Sequence, residues 1–511
     1  MSLEPALDDF TRAYDSGAAQ LVWTRLIDDL ETPVSAYLKL AAGQPYAFLF
    51  ESVEGGAYRG RFSIIAMKPD LVWRCRGQAS EIAEGAAIAE GRFTPQPGGA
   101  LDNLRDLVAA CRLPMPAGVP PMAAGLFGAL GYDMVRLAEH LPDINPGPLN
   151  LPDAVMMRPS IVAVFDSIAH EIILATTVRA ASGVSAKAAH DAARDRIEAT
   201  IADLRQPLMP QSQHAPMPAP VFESPVDRAE YHRIVGKAKA YIAAGDIFQV
   251  VPSHRFRAPF PLDPLALYRS LRRTNPSPFL FYLNFGNFQL AGSSPEILVR
   301  LRDGKITIRP IAGTKPRGKT PEEDLQNEKD LLADPKERAE HLMLLDLGRN
   351  DVGRVAMLNA EGSNVPPAEA VKPNVRVTAS FFIERYSHVM HIVSNVEGNA
   401  APGVDPVDVL MAALPAGTLS GAPKVRAMEI IDELETEKRG VGYAGAVGYF
   451  GADGSVDTCI VLRTALFKDG IMYVQAGGGV VADSDPDSEY EETVHKSMAL
   501  RRAAEEAWRF A

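Results

Sequence analysis

Cysteine and long apolar runs are both scarce in this sequence of 511 residues. Its three cysteines, Cys75, Cys111 and Cys459, match no metal-binding spacing, and such sparse cysteines fit a reducing compartment. No uninterrupted apolar segment reaches the roughly 20 residues that cross a bilayer. The first ten residues are acidic, whereas a signal peptide begins basic and continues apolar. We therefore expect a cytoplasmic protein with no membrane partner.

An excess of positive charge is also lacking. The 52 lysines and arginines are outnumbered by 64 aspartates and glutamates, which gives a net charge of −12. This balance disfavours a nucleic-acid partner. A hydrophobic content of 47% and a charged content of 23% are typical of a soluble globular protein. The length allows one very large core or two to three ordinary ones.

A proline-rich polar stretch divides the chain. It predicts a linker over residues 206–225, between an N-terminal α+β portion (1–205) and a second portion (226–511). In both portions the strand-like runs occur in hairpin-like clusters and do not alternate regularly with helices. The pattern therefore predicts an α+β fold with antiparallel sheets.

A glycine-rich stretch near the C-terminus is the strongest candidate for a site. Residues 471–475 read as a strand, and Gly477, Gly478 and Gly479 follow, where no Cβ hinders the approach of a ligand to the backbone. A helix start comes next, at Asp485-Pro486. Glu489 and Glu492 lie three residues apart near its positive end, so they share one face.

The same carboxylate arrangement occurs a second time. Asp334-Pro335 opens another helix, in which Glu337 and Glu340 are again three residues apart. Acidic residues are common in first helical turns for purely structural reasons. Two such starts, however, could supply facing carboxylates for one hard cation.

Further candidates lie in two loops. Gly313 and Thr314 sit in a basic loop, residues 309–319, which would attract an anion or would simply be solvated. Thr418 lies in a loop of glycines and hydroxyls that leads into a helix over 425–434. Such a loop offers amides and a hydroxyl to a carboxylate, or serves only as a cap.

Three more candidates lie in or beside strands. Arg463 interrupts an apolar strand, so it needs a carboxylate partner from the protein or from a ligand. Tyr443 could join it, although a core tyrosine is the commoner explanation. His391 shares an apolar strand face with Val389 and Val393, a setting that is more often structural than catalytic.

With these residues laid out, the chain resembles the chorismate-utilising enzymes, and among them the anthranilate synthases. The resemblance covers about residues 227–500 and is weaker toward the N-terminus. It is carried by five stretches in the expected order: residues 310–318, 340–351, 415–424, 457–463 and 475–493. It implies an α+β fold in which two antiparallel sheets pack as a sandwich flanked by helices, and an enzyme that uses Mg²⁺.

The resemblance also implies roles for single residues. Glu340 and Glu492 would hold the metal, with Glu337 and Glu489 in support. His391 and Thr418 would be catalytic, His391 acting beside the ring during pyruvate loss. The groups that would bind chorismate are Gly313, Thr314, Tyr443, Arg463, Gly477, Gly478, Gly479 and Lys496, with Thr418 assisting.

Two positions separate the branches of this family. Aminodeoxychorismate synthases typically carry a nucleophilic lysine where this chain has Ala312. Isochorismate and salicylate synthases carry a water-activating lysine where this chain has Gln249. Anthranilate formation is therefore favoured. Aminodeoxychorismate synthase component I and a non-catalytic homologue that binds chorismate or tryptophan are the alternatives. A zinc hydrolase built on Glu340-His341 lacks the spacing of two histidines.

The partners follow from what the sequence does not contain. None of the three cysteines lies in the Gly-x-Cys-x-Gly turn of the family's glutamine amidotransferases. Ammonia would therefore come from a separate amidotransferase subunit, in a hetero-oligomer. The resemblance further implies tryptophan as a feedback inhibitor, held between Ser52 and a segment with Pro278, Phe279 and Leu280. Phe279-Leu280 departs from the family, in which Tyr-Met is frequent.

Overall fold

The computed structural model describes residues 2–54, 58–209, 215–357, 374–386 and 389–511. Its α-helices are α1 (Leu7–Asp15), α2 (Pro33–Leu40), α3 (Ala86–Ala89), α4 (Ala100–Ala110), α5 (Ala186–Leu204), α6 (Arg228–Ala244), α7 (Pro264–Thr274), α8 (Pro321–Ala333), α9 (Pro335–Gly353), α10 (Pro406–Ala413), α11 (Lys424–Leu434) and α12 (Pro486–Glu506). Among these described helices, none is both long and apolar enough to cross a membrane.

The strands up to residue 294 are β1 (Gln20–Ile27), β2 (Ala47–Glu54), β3 (Tyr58–Arg76), β4 (Ala79–Glu84), β5 (Thr94–Gln96), β6 (Gly125–Leu130), β7 (Ala154–Asp166), β8 (Glu171–Val178), β9 (Gln249–Val250), β10 (Ser253–Pro259), β11 (Phe279–Asn284) and β12 (Gln289–Ser294). The remaining strands are β13 (Ile297–Arg302), β14 (Lys305–Ile308), β15 (Ile311–Pro316), β16 (Val375–Arg385), β17 (Val389–Asn399), β18 (Gly421–Ala422), β19 (Ala446–Gly451), β20 (Val456–Ile460), β21 (Thr464–Lys468) and β22 (Ile471–Gly477).

The strands form two large antiparallel sheets that share β3 and β7. The first has the order β10-β22-β21-β12-β11-β2-β3-β7-β8-β1. The second runs β5-β4-β3-β7-β6-β19-β20-β13-β14-β17, and β15 and β16 also pair with β17. A register shift between Pro69 and Leu71 separates the two halves of β3. The predicted α+β fold with antiparallel sheets is confirmed.

Three apolar layers follow from strand alternation, because successive side chains point to opposite faces. Leu49 packs with Tyr37 of α2 and Tyr268 of α7, outside the first sheet. Its neighbour Phe48 faces the layer between the sheets, where residues of both sheets meet, such as Phe281 and Phe127. A third layer packs the outer face of the second sheet against α4, α9, α10 and α11.

Both predicted Asp-Pro helix starts are present. The Asp334 side chain accepts hydrogen bonds from the backbone N–H groups of Lys336 and Glu337 at the start of α9. At the start of α12 the Asp485 side chain accepts from Ser488 N–H. Proline follows each cap, where its missing N–H costs nothing and its fixed φ suits the helix.

Strand pairs link the two predicted portions of the chain. β2 pairs with β11, and β6 pairs with β19, so residues before 205 and after 226 share both sheets. Part of the predicted linker, residues 210–214, lies outside the described residues. The boundary at 206–225 stays a prediction.

Replacement of Gly128 tests this close strand packing. A Cβ there would lie 2.0 Å from the carbonyl oxygen of Val155, so we expect Gly128→Ala to lower the free energy of unfolding by about 3 kcal/mol. The control is Gly236→Ala, at an exposed position of α6 with no atom within 4 Å of the new Cβ. It should stabilise by up to about 1 kcal/mol. Urea unfolding measures both, and equal midpoints would contradict the packing argument.

Candidate functional site

The first two turns of α9 and of α12 bring four carboxylates together. Burial and the charges of Glu337 and Glu492 raise the pKa of Glu340, although Lys496 opposes this. Burial and Glu492 likewise raise the pKa values of Glu337 and Glu489. The charge of Glu492 contributes to all three shifts, so the two helix starts bring the four carboxylates close to one another.

The donor set fits a hard divalent cation, although the ligands are not pre-assembled. Glu489 accepts a hydrogen bond from Ser484 Oγ at 2.6 Å through Oε1, while its buried Oε2 has no hydrogen-bond partner. A buried carboxylate oxygen without a partner is costly, and a cation would satisfy it. Within the described ranges, no three acidic, histidine or cysteine side chains are already grouped as metal ligands.

Lys496 lies one turn after Glu492 and connects the carboxylates to the glycine stretch. Its Nζ is 2.6 Å from Glu492 Oε1 and donates to the carbonyl oxygen of Gly477 at 3.0 Å. Lys496 thus neutralises Glu492 in this conformation. It also places a positive charge beside the glycines that were predicted to bind an anion.

Gly477, Gly478 and Gly479 form a cradle, which a side chain at any of these three positions would fill. A Cβ on Gly477 would lie 2.9 Å from Tyr443 Oη, and one on Gly478 would lie 3.0 Å from Glu489 Oε2. A Cβ on Gly479 would lie 2.5 Å from Gln249 Nε2. The stretch therefore sits between Tyr443, the carboxylates and Gln249. Its glycines are required by this close approach.

Arg463 is half-buried, and its side chain has no direct partner among the described residues although its backbone is strained. Its φ is +46°, a region that residues other than glycine rarely adopt. Burial lowers its pKa, while Tyr443, Glu296 and Glu492 act in the opposite direction. Its side chain forms no hydrogen bond or ion pair with any residue that the structure describes. A largely desolvated guanidinium without a partner has the chemistry to bind an anionic ligand.

Glu296 is a site residue that the sequence analysis missed. Thr418 Oγ1 donates to its carboxylate at 3.3 Å, and burial raises its pKa to about 8. Glu296 is therefore largely protonated at neutral pH, and it can give a proton to a ligand. The available signal was a lone acidic residue directly after Ser294-Pro295, between two apolar strands.

His391 is oriented by the loop that carries Gly313 and Thr314. Its Nδ1 is 2.9 Å from the carbonyl oxygen of Gly313 and 3.1 Å from Thr314 Oγ1. A carbonyl oxygen only accepts, so the contact assigns the ring proton to Nδ1 and leaves Nε2 as a base. Burial lowers the pKa of His391, which keeps it neutral. Gly313, at a φ of +67°, also approaches Glu337 closely.

The space at this site is small in the conformation described. A cavity of about 30 Å³ touches Glu296 and Thr418, whereas pockets for small molecules usually exceed about 300 Å³. A cavity of about 530 Å³ is lined in part by Gln475 and residues 440–442, and none of the predicted site residues lines it. We therefore assign the site by the chemistry of its side chains, because the larger cavity is not at these residues.

The residues predicted to hold an inhibitor also meet. Ser52 of β2 lies directly opposite Phe279 of β11, and Glu51 lies opposite Leu280. Pro278 immediately precedes this pair. The two predicted halves of the inhibitor site, more than 200 positions apart, are thus neighbours in one sheet.

Comparison with known proteins places these residues in a family. The family described as chorismate binding enzyme matches residues 69–502. Anthranilate synthase component 1 of Cereibacter sphaeroides is 56% identical over 507 residues, which cover 99% of this chain and 98% of that protein. The Pseudomonas putida protein of the same name is 47% identical over 93% of each chain.

A solved structure agrees with the sequence comparison. The crystal structure of anthranilate synthase component I from Streptococcus pneumoniae superimposes with a TM-score of 0.74 at 34% identity. The match covers 93% of this chain and 98% of that chain.

The raised pKa of Glu296 makes stability depend on pH. The folded state keeps a proton from the ordinary pKa of about 4.3 up to about 8, so its stability falls as pH rises through that window. Glu296→Gln has no such proton to lose. Between pH 5.5 and 7.5 we expect wild type to lose about 3 kcal/mol relative to Glu296→Gln. Urea unfolding of both proteins at the two pH values checks this, and parallel pH profiles would contradict a buried, protonated Glu296.

Proposed function

The chain belongs to the family of chorismate-binding enzymes, and we propose that it is the large subunit of an anthranilate synthase, which converts chorismate and ammonia to anthranilate and pyruvate. One observation carries the proposal. The unpaired Arg463 side chain interacts electrostatically with the protonated Glu296 and with Glu492. Glu492 in turn belongs to the group of carboxylates at the two helix starts. This combination suits a dianion that must lose a hydroxyl group.

Substrate binding centres on Arg463, whose side chain has no hydrogen-bond or ion-pair partner among the described residues. Arg463 and Tyr443 hold the enolpyruvyl carboxylate of chorismate. The amides of residues 477–479 with Thr418, Gly313 and Thr314 hold the ring and its carboxylate, and Lys496 adds a charge contact. A bound carboxylate would complete the coordination that Arg463 lacks within the described structure.

The metal site lies at the two helix starts. Glu340 and Glu492 would hold Mg²⁺, supported by Glu337 and Glu489, whose free Oε2 fits this role. When bound, the ion polarises the ring carboxylate as a Lewis acid. Lys496 would have to release Glu492, since the two are paired in this conformation.

In the first chemical step ammonia adds to the ring and the ring hydroxyl leaves. A C–N bond forms, the ring double bonds shift and the C–O bond of the hydroxyl breaks. Glu296 gives its proton to the departing oxygen, so that water is released. Thr418, which is hydrogen-bonded to Glu296, orients the carboxyl group.

In the second step pyruvate leaves and the ring becomes aromatic. Nε2 of His391 removes the ring proton at the carbon that bears the new amino group, next to the carbon that bears the enolpyruvyl ether, because Nδ1 carries the other proton toward Gly313. The electron pair of that C–H bond enters the ring. The ether C–O bond breaks, and the enolate takes up a proton to give pyruvate.

Two side chains favour ammonia over the other nucleophiles of the family. Ala312 lies in β15 and has no amine to attack the ring. Gln249 cannot act as a base toward water. Its buried Oε1 has no hydrogen-bond partner, and its amide lies beside the Gly479 backbone. A free acceptor at this point would receive a hydrogen bond from ammonia.

The ammonia comes from a separate subunit. Cys75, Cys111 and Cys459 are all buried, and burial raises the pKa of the Cys75 thiol to about 12. None of them can serve as the thiolate that hydrolyses glutamine. We therefore include a glutamine amidotransferase partner, in a cytoplasmic hetero-oligomer, in the proposal.

The decisive assay uses chorismate, MgCl₂ and an ammonium salt at pH 8, with anthranilate fluorescence as the readout. The isolated chain should form anthranilate with ammonium and none with glutamine. Glu492→Gln should abolish Mg²⁺-dependent turnover, because it removes a metal ligand with little change of shape. Glu491→Gln is the matched control, since Glu491 is an exposed neighbour that pairs with Arg228. Anthranilate from glutamine, or an active Glu492→Gln variant, would refute the assignments.

Regulation by tryptophan forms the second part of the proposal. Tryptophan would bind at Ser52, Pro278, Phe279 and Leu280, where the N-terminal portion meets the catalytic portion. Phe279 lies opposite Ser294 in β12, and the neighbouring Ser293 donates its backbone N–H to the carbonyl oxygen of Arg463 at 3.2 Å. A ligand that shifts β11 and β12 would thus act on the substrate-binding arginine and on Glu296.

A tryptophan titration of the initial rate tests this regulation. Wild type should be inhibited, and Ser52→Phe should relieve the inhibition because a large ring enters the site. The uninhibited rate of the variant is the control and should change little, since Ser52 has no place in the chemistry. Superimposable titration curves would remove Ser52 from the site, and an uninhibited wild type would remove the site itself.

A further inference from the structure

A buried ion pair outside the predicted site connects the segments that bind the substrate in the proposed function. Arg439 and Glu435 are paired at 2.6 Å, and their side chains are only 1% and 4% exposed. Removing a charged pair from water is expensive, and hydrophobic replacements often stabilise a fold as well or better. Stability alone is therefore a weak reason for this pair, so its contacts indicate what else it does.

Arg439 donates hydrogen bonds to backbone carbonyl oxygens of two segments of the site. One terminal nitrogen, Nη1, donates to the carbonyl oxygen of Leu419, the residue after Thr418, at 2.6 Å. The other, Nη2, donates to the carbonyl oxygen of Val251 at 2.6 Å. The guanidinium also lies over the Tyr443 ring, 5.4 Å from its centre. One planar group therefore fixes the Thr418 loop, the strand entering β10 and Tyr443.

Glu435 extends the network to the glycine cradle. Its Oε1 accepts from both the backbone N–H and the Oγ of Ser253, each at 2.8 Å. Ser253 Oγ in turn accepts from Gln475 Nε2 at 2.8 Å, two residues before Gly477. The Cβ of Ser253 forms part of the wall against which Gly477 packs. The network thus fixes the end of β22, where the three glycines begin.

We propose that the Glu435–Arg439 pair is a positioning unit that holds the Thr418 loop, Tyr443 and the Gly477–Gly479 cradle in the register that binds chorismate. The proposal rests on the proposed function of the site. Only arginine can make these contacts, because its planar fork donates in several directions at once and lysine offers a single charged head. Positioning by a rigid second layer of hydrogen bonds is what a site made of three separate loops requires.

The test compares Arg439→Lys and Ser253→Ala with wild type by steady-state kinetics and thermal unfolding. We expect KM for chorismate to rise at least fivefold in Arg439→Lys and at least twofold in Ser253→Ala, with kcat reduced less than twofold. Arg439→Met should be worse than Arg439→Lys, since lysine keeps the charge. In a variant whose site is less well ordered, substrate binding must also order the site. The free-energy cost of this ordering weakens binding and raises KM.

Arg158→Lys is the matched control. Arg158 is a half-buried arginine that donates to Asp70 at 2.6 Å within the second sheet, away from the site segments. It should lower the melting temperature without changing KM. A wild-type KM in both Arg439→Lys and Ser253→Ala would overturn the proposal. If Arg439→Lys fails to fold, Ser253→Ala decides by the same criterion, because it removes a single hydroxyl.

The wild-type enzyme in the same assay separates this proposal from the proposed function. Absence of anthranilate from wild type would count against the reaction, whereas unchanged KM ratios among active variants would count against the positioning unit alone. If wild type binds chorismate without turnover, calorimetric titration with chorismate replaces KM. The same fold-changes are then expected in the dissociation constant.

Discussion

The burial of charged groups where the two sheets meet is the constraint on which the site depends. A charge in a low-dielectric interior must be paired, protonated or supplied with a ligand. This protein shows all three states within one region. Arg439 is fully paired with Glu435, Glu296 takes up a proton, and Arg463 makes no direct contact with a charged partner. The paired groups supply structure, while the other two groups are available for chemistry.

The conformation described is that of a site whose parts are near each other but not assembled. Glu492 is neutralised by Lys496, Glu489 keeps a free oxygen, and the space at Glu296 holds about one water molecule. Four carboxylates of like charge, of which Glu489 is buried and the others are half-buried, repel one another, and a bound cation would offset this repulsion. A dianionic substrate and a divalent cation therefore suit each other here, since each satisfies charges that the protein leaves open.

The helix starts of the site could be predicted from local sequence, whereas the protonation state of a buried side chain could not. The Asp-Pro caps at 334 and 485 place Glu337, Glu340, Glu489 and Glu492 on predictable helix faces, because capping and the 3.6-residue period act over a few residues. Glu296 escaped notice because its only signal in the sequence is that it is a lone acidic residue between two apolar strands. Burial raises its pKa against the opposing hydrogen bond from Thr418, and both depend on how segments far apart in the chain pack together.

The sequence by itself determined the antiparallel α+β class, the two helix starts, the glycine cradle and the family, since these depend on short-range patterns. Only the tertiary structure decided that Ser52 faces Phe279, that β3 and β7 serve two sheets, and that Arg439 reaches Leu419 and Val251. The physical reason is that pairing register and the environment of a buried charge depend on segments far apart in the chain. A local pattern specifies what a residue can do, and packing specifies which partners it meets.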